Sequence, residues 1–77
     1  MNKQQRKRLN ELIEQVESIA EDIQALQEEE QEKYDNYPEN LQDSEQANAI
    51  LEAADNLQEA YDDLTNWCDE VRSNLEV

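Results

Sequence analysis

Apolar residues recur in this chain at alternating steps of three and four, in two long runs separated by one short breaker. Such spacing places every member of a run on one side of an α-helix, which turns once every 3.6 residues. The first run consists of Leu9, Leu12, Val16, Ile19, Ile23 and Leu26. The second run consists of Ala47, Ile50, Ala54, Leu57, Tyr61, Leu64, Cys68, Val71 and Leu75. The pattern predicts two long amphipathic helices that fold back on each other.

The breaker is centred on Pro38. Proline lacks a backbone donor and disfavours helical geometry in the residue before it. We therefore expect a first helix over about residues 3–36, a turn over about 37–42 and a second helix over about 43–75. Together they form a single domain, residues 1–77. The predicted fold class is all-α, an antiparallel two-helix coiled-coil hairpin.

Two details of this hairpin can be predicted. Asp43 or Ser44 can cap the second helix, and Asp43 with Gln46 has the spacing of a capping box. Folding the chain about residue 40 places Leu12 beside Cys68. The same register brings a basic arm, Lys3, Arg6, Lys7 and Arg8, beside acidic residues of the second helix, Asp69, Glu70 and Glu76.

Several apolar side chains do not fit into one seam between two helices. A chain of 77 residues is also near the size at which one core supplies only about 3–5 kcal/mol. We therefore expect a homodimer, in which two hairpins form a four-helix bundle. The predicted self-association residues are Ile13, Leu51 and Trp67, and the alternative is that this apolar surface binds a different protein.

Composition argues against enzymatic function. The chain contains no His and no Gly, so it lacks the commonest general base and metal ligand, and it lacks the residue that phosphate-binding and calcium-binding loops require. Cys68 is interpreted as a small buried apolar residue. We expect no catalytic residue, no cofactor and no metal site. With no apolar run long enough for a membrane span and no signal-peptide pattern at the start, a cytoplasmic location is expected.

The charge balance is strongly acidic, with 21 Asp and Glu against 6 Lys and Arg and a formal net charge of -15. Direct nucleic-acid binding is not expected, because most of the chain would repel phosphate. The carboxylates could serve solubility alone. They could also imitate nucleic-acid phosphates toward a basic groove on a partner protein. The candidate residues for that contact are Glu52, Asp55, Glu59, Asp62 and Asp63.

The turn is a second candidate binding region. Tyr34, Asn36, Tyr37 and Pro38 place two aromatic rings and a rigid proline close together, and aromatic residues at a rigid tip make good binding hot spots. The competing interpretation is that both tyrosines close the end of the hairpin. The first apolar run stops at Leu26, so the turn-proximal part of the first helix is explained least by hairpin packing.

The turn segment Tyr34-Asp35-Asn36-Tyr37-Pro38-Glu39-Asn40-Leu41-Gln42 resembles a motif found in small acidic proteins of bacteriophages and prophages. That group has a Tyr-Asp-Asn-x-Pro-Glu-x-Leu-Gln turn between two predicted helices, with a methionine where this chain has Tyr37. The resemblance implies a phage setting, in the host cytoplasm, and transfers no activity.

Three hypotheses about function follow. The first is a non-enzymatic counter-defence inhibitor that binds and blocks a host nuclease or another defence protein, by acidic nucleic-acid mimicry or through the turn. The second is a structural or assembly protein whose coiled coil forms homo- or hetero-oligomers. The third is a small regulator of a transcription factor or polymerase, which nothing in the sequence distinguishes from the first.

Overall fold

The computed structural model describes residues 1–75, and these residues form an all-α helical hairpin. Helix α1 spans Lys3–Asp35, a short 3-10 turn spans Glu39–Leu41, and helix α2 spans Glu45–Leu75. The hairpin is elongated, with principal-axis extents of 59 × 16 × 12 Å. The predicted fold class, an all-α hairpin of two helices, is confirmed.

Helix α1 begins with a reciprocal cap. The side-chain oxygen of Asn2 accepts a hydrogen bond from the amide of Gln5 at 2.8 Å, and the Asn2 amide donates to Gln5 Oε1 at 3.0 Å. This capping box satisfies two donors at the start of the helix. The helix ends at Asp35, one residue before the expected end, and the Asn36 amide donates to the carbonyl of Glu32.

The start of α2 differs in detail from the prediction. Ser44 Oγ accepts a hydrogen bond from the Ala47 amide at 3.2 Å, so Ser44, and not Asp43, is the capping residue. Gln46 Oε1 accepts from the hydroxyl of Tyr37 at 3.3 Å. The proposed capping-box partner of Asp43 is therefore engaged by the turn, and α2 begins at Glu45 rather than Asp43.

The chain reverses direction through a compact turn. The Leu41 amide donates to the Pro38 carbonyl at 2.8 Å, and the Ser44 amide donates to the Leu41 carbonyl at 3.0 Å. The side chain of Gln42 donates to the carbonyl of Tyr37 at 3.4 Å. These bonds pair backbone groups of the turn itself, which lie between the two helices.

The seam between the helices consists of residues at steps of seven, most of them small. The fully buried side chains are Ile13, Ala20, Ala47, Ala54 and Cys68. Cys68 Sγ lies 4.0 Å from the carbonyl oxygen of Ile13, which sets the register of the two helices. That register puts Ala20 level with Tyr61, so a small residue on one helix faces a large one on the other.

The predicted seam of α1 is wrong in one respect. Leu12, Ile19 and Leu26 are 52%, 54% and 51% exposed, whereas Ile13 is 0% exposed. Cys68 contacts Ile13 rather than Leu12. Successive residues are about 100° apart around a helix. Because residue 13 rather than residue 12 faces α2, Leu12, Ile19 and Leu26 point out of the seam and lie on one side of the hairpin.

Candidate interaction surfaces

The hairpin is a flat pair of helices, so its two broad faces are the surfaces available to a partner. Each residue advances about 100° around a helix. The residue before a buried position therefore points toward one face, and the residue after it points toward the other. Because the helices are antiparallel, the residues that follow buried positions lie on the same face in α1 and in α2. The residues that precede buried positions lie on the opposite face in both helices.

An ion pair between the helices confirms which flanks share a side. Glu17 follows Ile13 by one turn in α1, and Arg72 follows Cys68 by one turn in α2. Arg72 Nη2 donates to Glu17 Oε1 at 2.6 Å, and Nη1 donates to Oε2 at 2.9 Å. The flanks that follow the seam residues therefore meet on one side of the hairpin.

The electrostatics of this pair follow from its geometry. Two parallel N–H···O bonds match the planar guanidinium to the carboxylate. The hydrogen bonds from Arg72 lower the pKa of the Glu17 carboxyl below its ordinary value of 4.5. The same bonds raise the pKa of Arg72. The pair thus stays ionised and joins the last turn of α2 to the middle of α1.

The face on the side of this ion pair carries carboxylates in two heptad-spaced rows. We call it the acidic face. It consists of Glu14, Glu21, Glu28 and Asp35 of α1 with Asp55, Asp62 and Asp69 of α2, all exposed. Successive members of a row are seven residues, or about 10.5 Å, apart. These seven carboxylates are therefore ordered along one side of the hairpin, whereas other acidic residues lie on its outer edges.

The opposite side is uncharged through the middle of the hairpin. We call it the apolar face. It consists of Leu9, Leu12, Val16, Ile19, Ile23 and Leu26 of α1 with Ile50, Ala53, Leu57, Ala60, Leu64, Trp67 and Val71 of α2, each half-buried or exposed. All six residues of the first apolar run lie here, so this run forms a surface as well as part of the seam.

The structure separates the five predicted acidic contact residues. Asp55 and Asp62 lie on the acidic face. Glu52 and Glu59 lie on the outer edge of α2, directed away from α1. Asp63 lies on the same outer edge, but toward the apolar face. All five are exposed, yet they do not form one patch, and only two of them belong to the carboxylate rows.

The turn residues divide into two pairs. Tyr34 and Tyr37 are half-buried, whereas Asn36 and Pro38 are exposed. The Tyr37 hydroxyl bonds to Gln46 in the first turn of α2. The register of the seam puts Tyr34 level with Ala47, where a large side chain faces a small one. This geometry favours the interpretation that both tyrosines close the end of the hairpin.

The predicted self-association residues also lie in different places. Ile13 is fully buried in the seam of the hairpin, so the prediction that it contacts a second copy is corrected. Leu51 is half-buried on the flank that carries Arg72. Trp67 is 43% exposed and lies on the apolar face. Of the three, Trp67 has both the exposure and the location that a contact between hairpins requires.

The basic arm does not pair as predicted within the described residues. Between residues 1 and 75 the ion pairs are Lys33 with Glu30, at 2.7 Å, and Arg72 with Glu17. None joins the arm to Asp69 or Glu70, and the third predicted partner, Glu76, lies outside the described residues. The arm is thus an exposed basic segment at the end of the hairpin opposite the turn.

Cys68 is a packing residue with a weak hydrogen bond. Its thiol lies against the carbonyl oxygen of Ile13. Burial raises the pKa of the Cys68 thiol, and the negative charge of Glu17 adds to this effect. The thiol is therefore protonated at neutral pH and unsuited to nucleophilic attack. Across residues 1–75, no group of three or more acidic or cysteine residues is placed to hold a metal ion.

Sequence reasoning missed the ion pair between Arg72 and Glu17 and the arrangement of the carboxylates in two rows. A signal for the rows was present, because Glu14, Glu21 and Glu28 repeat at intervals of seven. The interhelical pair had no comparable signal, since it depends on the register of the two helices.

Comparison with known proteins adds no relative: no family model, no curated protein and no solved structure matches this chain. Among the described residues, neither helix has the length of apolar sequence that a membrane crossing requires.

Proposed function

We propose that this chain is a non-enzymatic binding protein whose acidic face occupies a basic, nucleic-acid-binding groove on a partner protein and thereby inhibits it. The observation that supports this most is the ordering of seven exposed carboxylates in two parallel rows on one side of the hairpin. General solubility requires charge but does not require that charge to be aligned on one face.

The dimensions of the hairpin suit such a groove. Its length is 59 Å, which corresponds to about 17 base pairs at 3.4 Å per step along a strand. Within this length, the row from Glu14 to Asp35 spans about 32 Å and the row from Asp55 to Asp69 spans about 21 Å. A groove built for phosphates presents Arg and Lys side chains to such rows. Complementary charge of this kind accelerates association and selects the partner.

The setting of the proposal is a phage-encoded counter-defence protein acting in the host cytoplasm, with a host nuclease or another defence protein as the partner. This part depends on the resemblance of the turn segment to small acidic phage and prophage proteins. The exposed side chains of Asn36 and Pro38 would then supply contacts at the tip. Tyr34 and Tyr37 contribute chiefly by holding the turn.

The test uses the protein and two four-fold variants as parallel baits in a bacterial lysate. The acidic-face variant carries Glu14→Gln, Glu21→Gln, Asp55→Asn and Asp62→Asn. The control variant carries the same number of each change on the outer edges, Asp22→Asn, Glu29→Gln, Asp63→Asn and Glu70→Gln. Both lose four charges, so any difference between them reports position rather than net charge.

We expect the unmodified and control baits to retain a nucleic-acid-binding protein that added duplex DNA displaces and whose nuclease or DNA-binding activity the hairpin inhibits. The acidic-face variant should bind that protein at least about tenfold more weakly, because it lacks four charge contacts. Raising the salt concentration should weaken binding steeply. A partner retained equally by all three baits, or unaffected by salt and by DNA, would contradict the proposal.

The apolar face favours a second candidate, a structural or assembly protein. A coiled-coil hairpin that joins copies of itself, or of another protein, would place this face in the contact. Replacing Trp67 with a charged residue should then abolish assembly, whereas Asp62→Lys, on the acidic face, should leave it intact. An inhibitor that works through its acidic surface should show the opposite sensitivity.

A further inference from the structure

The apolar face is too large and too free of charge to be an ordinary monomer surface. Along the face, no position between residues 9 and 26 of α1 or between 50 and 71 of α2 carries a charge. Its most exposed members are Leu12, Ile19, Leu26 and Trp67. Contiguous apolar patches of more than a few hundred Å² are rare on soluble monomers and usually mark a contact surface.

The hairpin alone has little interior. Only five side chains in the described residues are fully buried, and the largest of them are Ile13 and Cys68. Stable domains bury the apolar side of each element against a second layer. A two-helix layer with one face uncovered has no such second layer, and another layer of the same kind would supply it.

We propose that the apolar faces of two copies pack against each other to form an antiparallel four-helix bundle, with the twofold axis at the level of Ile19 and Ala60. The turn of each copy then lies at the terminal end of the other. Helix α1 packs on α1 of the partner subunit, and α2 packs on α2. This inference concerns a different face from the proposed function and does not depend on it.

The size of the face fits a stable dimer. Extents of 59 Å by 16 Å give the whole broad side of the hairpin, polar ends included, an outline of about 940 Å² between Cα atoms, and a stable interface buries about 800 Å² per partner. The apolar residues occupy the central half of the length, about 26 Å of α1 and 32 Å of α2. Polar residues occupy both ends, so the face has the apolar centre and polar rim of a protein interface.

The order of side-chain sizes fits one twofold axis. Leu12 and Leu26 are equidistant from Ile19 in α1, and Ala53 and Trp67 are equidistant from Ala60 in α2. The axis therefore puts each Trp67 opposite Ala53 of the partner subunit, large against small. The register of the hairpin places Ile19 and Ala60 within about two residues, or 3 Å, of the same level.

Charge selects the antiparallel orientation. Four of the six basic residues lie in the arm, residues 3–8, while residues 28–35 at the turn end contain Glu28, Glu29, Glu30, Glu32 and Asp35. An antiparallel dimer places each basic arm beside the acidic turn end of the partner. A parallel dimer would place the two acidic turn ends together, and like charges in contact disfavour that arrangement.

The first test is the mass in solution. Sedimentation at micromolar concentration should give twice the 9.1 kDa of the chain. Ile19→Asp should raise the dissociation constant of the dimer by more than about a hundredfold, because the axis would bring two unpaired carboxylates together in an apolar contact. The matched control, Ser18→Asp, adds the same charge one residue away on the outer edge and should leave the dimer intact.

Circular dichroism of both variants separates loss of the dimer from loss of the helices. A wild-type protein that sediments as a monomer at all accessible concentrations would overturn the proposal. So would a dimer that Ile19→Asp and Ser18→Asp affect equally.

The second test concerns orientation. In a Cys68→Ala background, Ile19→Cys should form a disulfide-linked dimer on mild oxidation, because the axis brings the two positions together. Leu12→Cys should not cross-link to itself, since it faces Leu26 of the partner subunit, whereas the double variant Leu12→Cys with Leu26→Cys should cross-link. A dimer in which Ile19→Cys fails to cross-link would overturn the antiparallel arrangement.

Salt distinguishes this inference from the proposed function. Each copy carries a net charge of -15, so screening should preserve or strengthen an apolar dimer while it weakens a contact between carboxylates and a basic groove. Loss of partner capture with the dimer intact would reject the proposed function alone. Loss of the dimer with capture intact would reject this inference alone.

Discussion

Arg72 is a single cation beside a row of carboxylates, and its contribution to stability depends on its position. Both of its terminal nitrogens bond to Glu17, and Asp69 lies about one turn before it in α2. Removing Arg72 would therefore do more than delete one contact between the helices. It would leave the Glu17 carboxylate beside other negative charges with no compensating partner.

We predict a defined pH dependence for this pair. The pKa of Glu17 is lowered in the folded state, so folding favours the ionised form, and the pair's contribution to stability is complete above the ordinary carboxyl pKa. It decreases as the pH falls below about 4.5 and is lost below the folded-state pKa. Arg72→Gln should therefore lower the free energy of unfolding at pH 7, by an amount that shrinks in acid.

Urea denaturation at a series of pH values measures this difference. The control is Lys33→Gln, which removes the same charge from an exposed pair formed within α1. Its effect at neutral pH should be smaller, because Lys33 and Glu30 are neighbours in one helix and do not join two elements. An Arg72→Gln penalty that stayed constant down to pH 3 would contradict the assignment to the Glu17 carboxylate.

At the scale of the elements, the start of α2 depends on one hydroxyl. Ser44 Oγ accepts a hydrogen bond from the backbone amide of Ala47, and Ala47 is fully buried in the seam. We predict that Ser44→Ala lowers the free energy of unfolding by about 1 kcal/mol, the usual loss for a helix cap. Chemical denaturation measures it. Ser18→Ala, at an exposed position inside α1, should be neutral or slightly stabilising, and equal losses for both would reject the capping role.

The element scale also explains what the sequence could predict. Two helices and their turn follow from the three-four spacing and from Pro38, and the structure agrees to within a residue or two at each boundary. The position of the seam could not be derived in the same way. Helix α1 has adjacent apolar positions at 12 and 13 and again at 19 and 20, and spacing alone does not say which member faces α2.

Residue size accounts for the choice between positions 19 and 20, though not for that between Leu12 and Ile13, which have similar volumes. Ala20 rather than Ile19 is buried, and the same register brings it level with Tyr61 in α2, where a large side chain needs a small neighbour. Such pairing depends on both helices at once. The position of the seam determines which residues lie on each face. An error of one residue in the predicted seam therefore placed the residues of the apolar face in the interior. The division of the carboxylates between the faces could be derived only from the structure.

At the scale of the whole molecule, the hairpin has one acidic side and one side that is uncharged through its middle. The acidic face and the apolar face lie back to back across a layer 12 Å thick between Cα atoms. Two copies joined by their apolar faces would present acidic faces on both outer surfaces. A dimer of that form could bind two basic grooves, one on each outer surface, without any change in the structure of the hairpin.

The net charge of -15 leads to a last prediction, that sodium chloride raises the midpoint of thermal unfolding. Charges of one sign on a small chain repel one another and destabilise the compact state. The screening length falls from ~30 Å at 0.01 M salt to ~3 Å at 1 M, so the repulsion fades over that range. Chloride is the suitable anion, because sulfate stabilises proteins by exclusion from their surface.

Thermal unfolding followed by circular dichroism measures the midpoint. The control is the outer-edge variant Asp22→Asn, Glu29→Gln, Asp63→Asn and Glu70→Gln, which has less repulsion to screen and should respond less to salt. Repeating both series at two protein concentrations separates repulsion within a chain from dimer formation, since only the latter depends on concentration. A midpoint that fell with added chloride would mean that attractive pairs such as Glu17 with Arg72 outweigh the repulsion among the acidic residues.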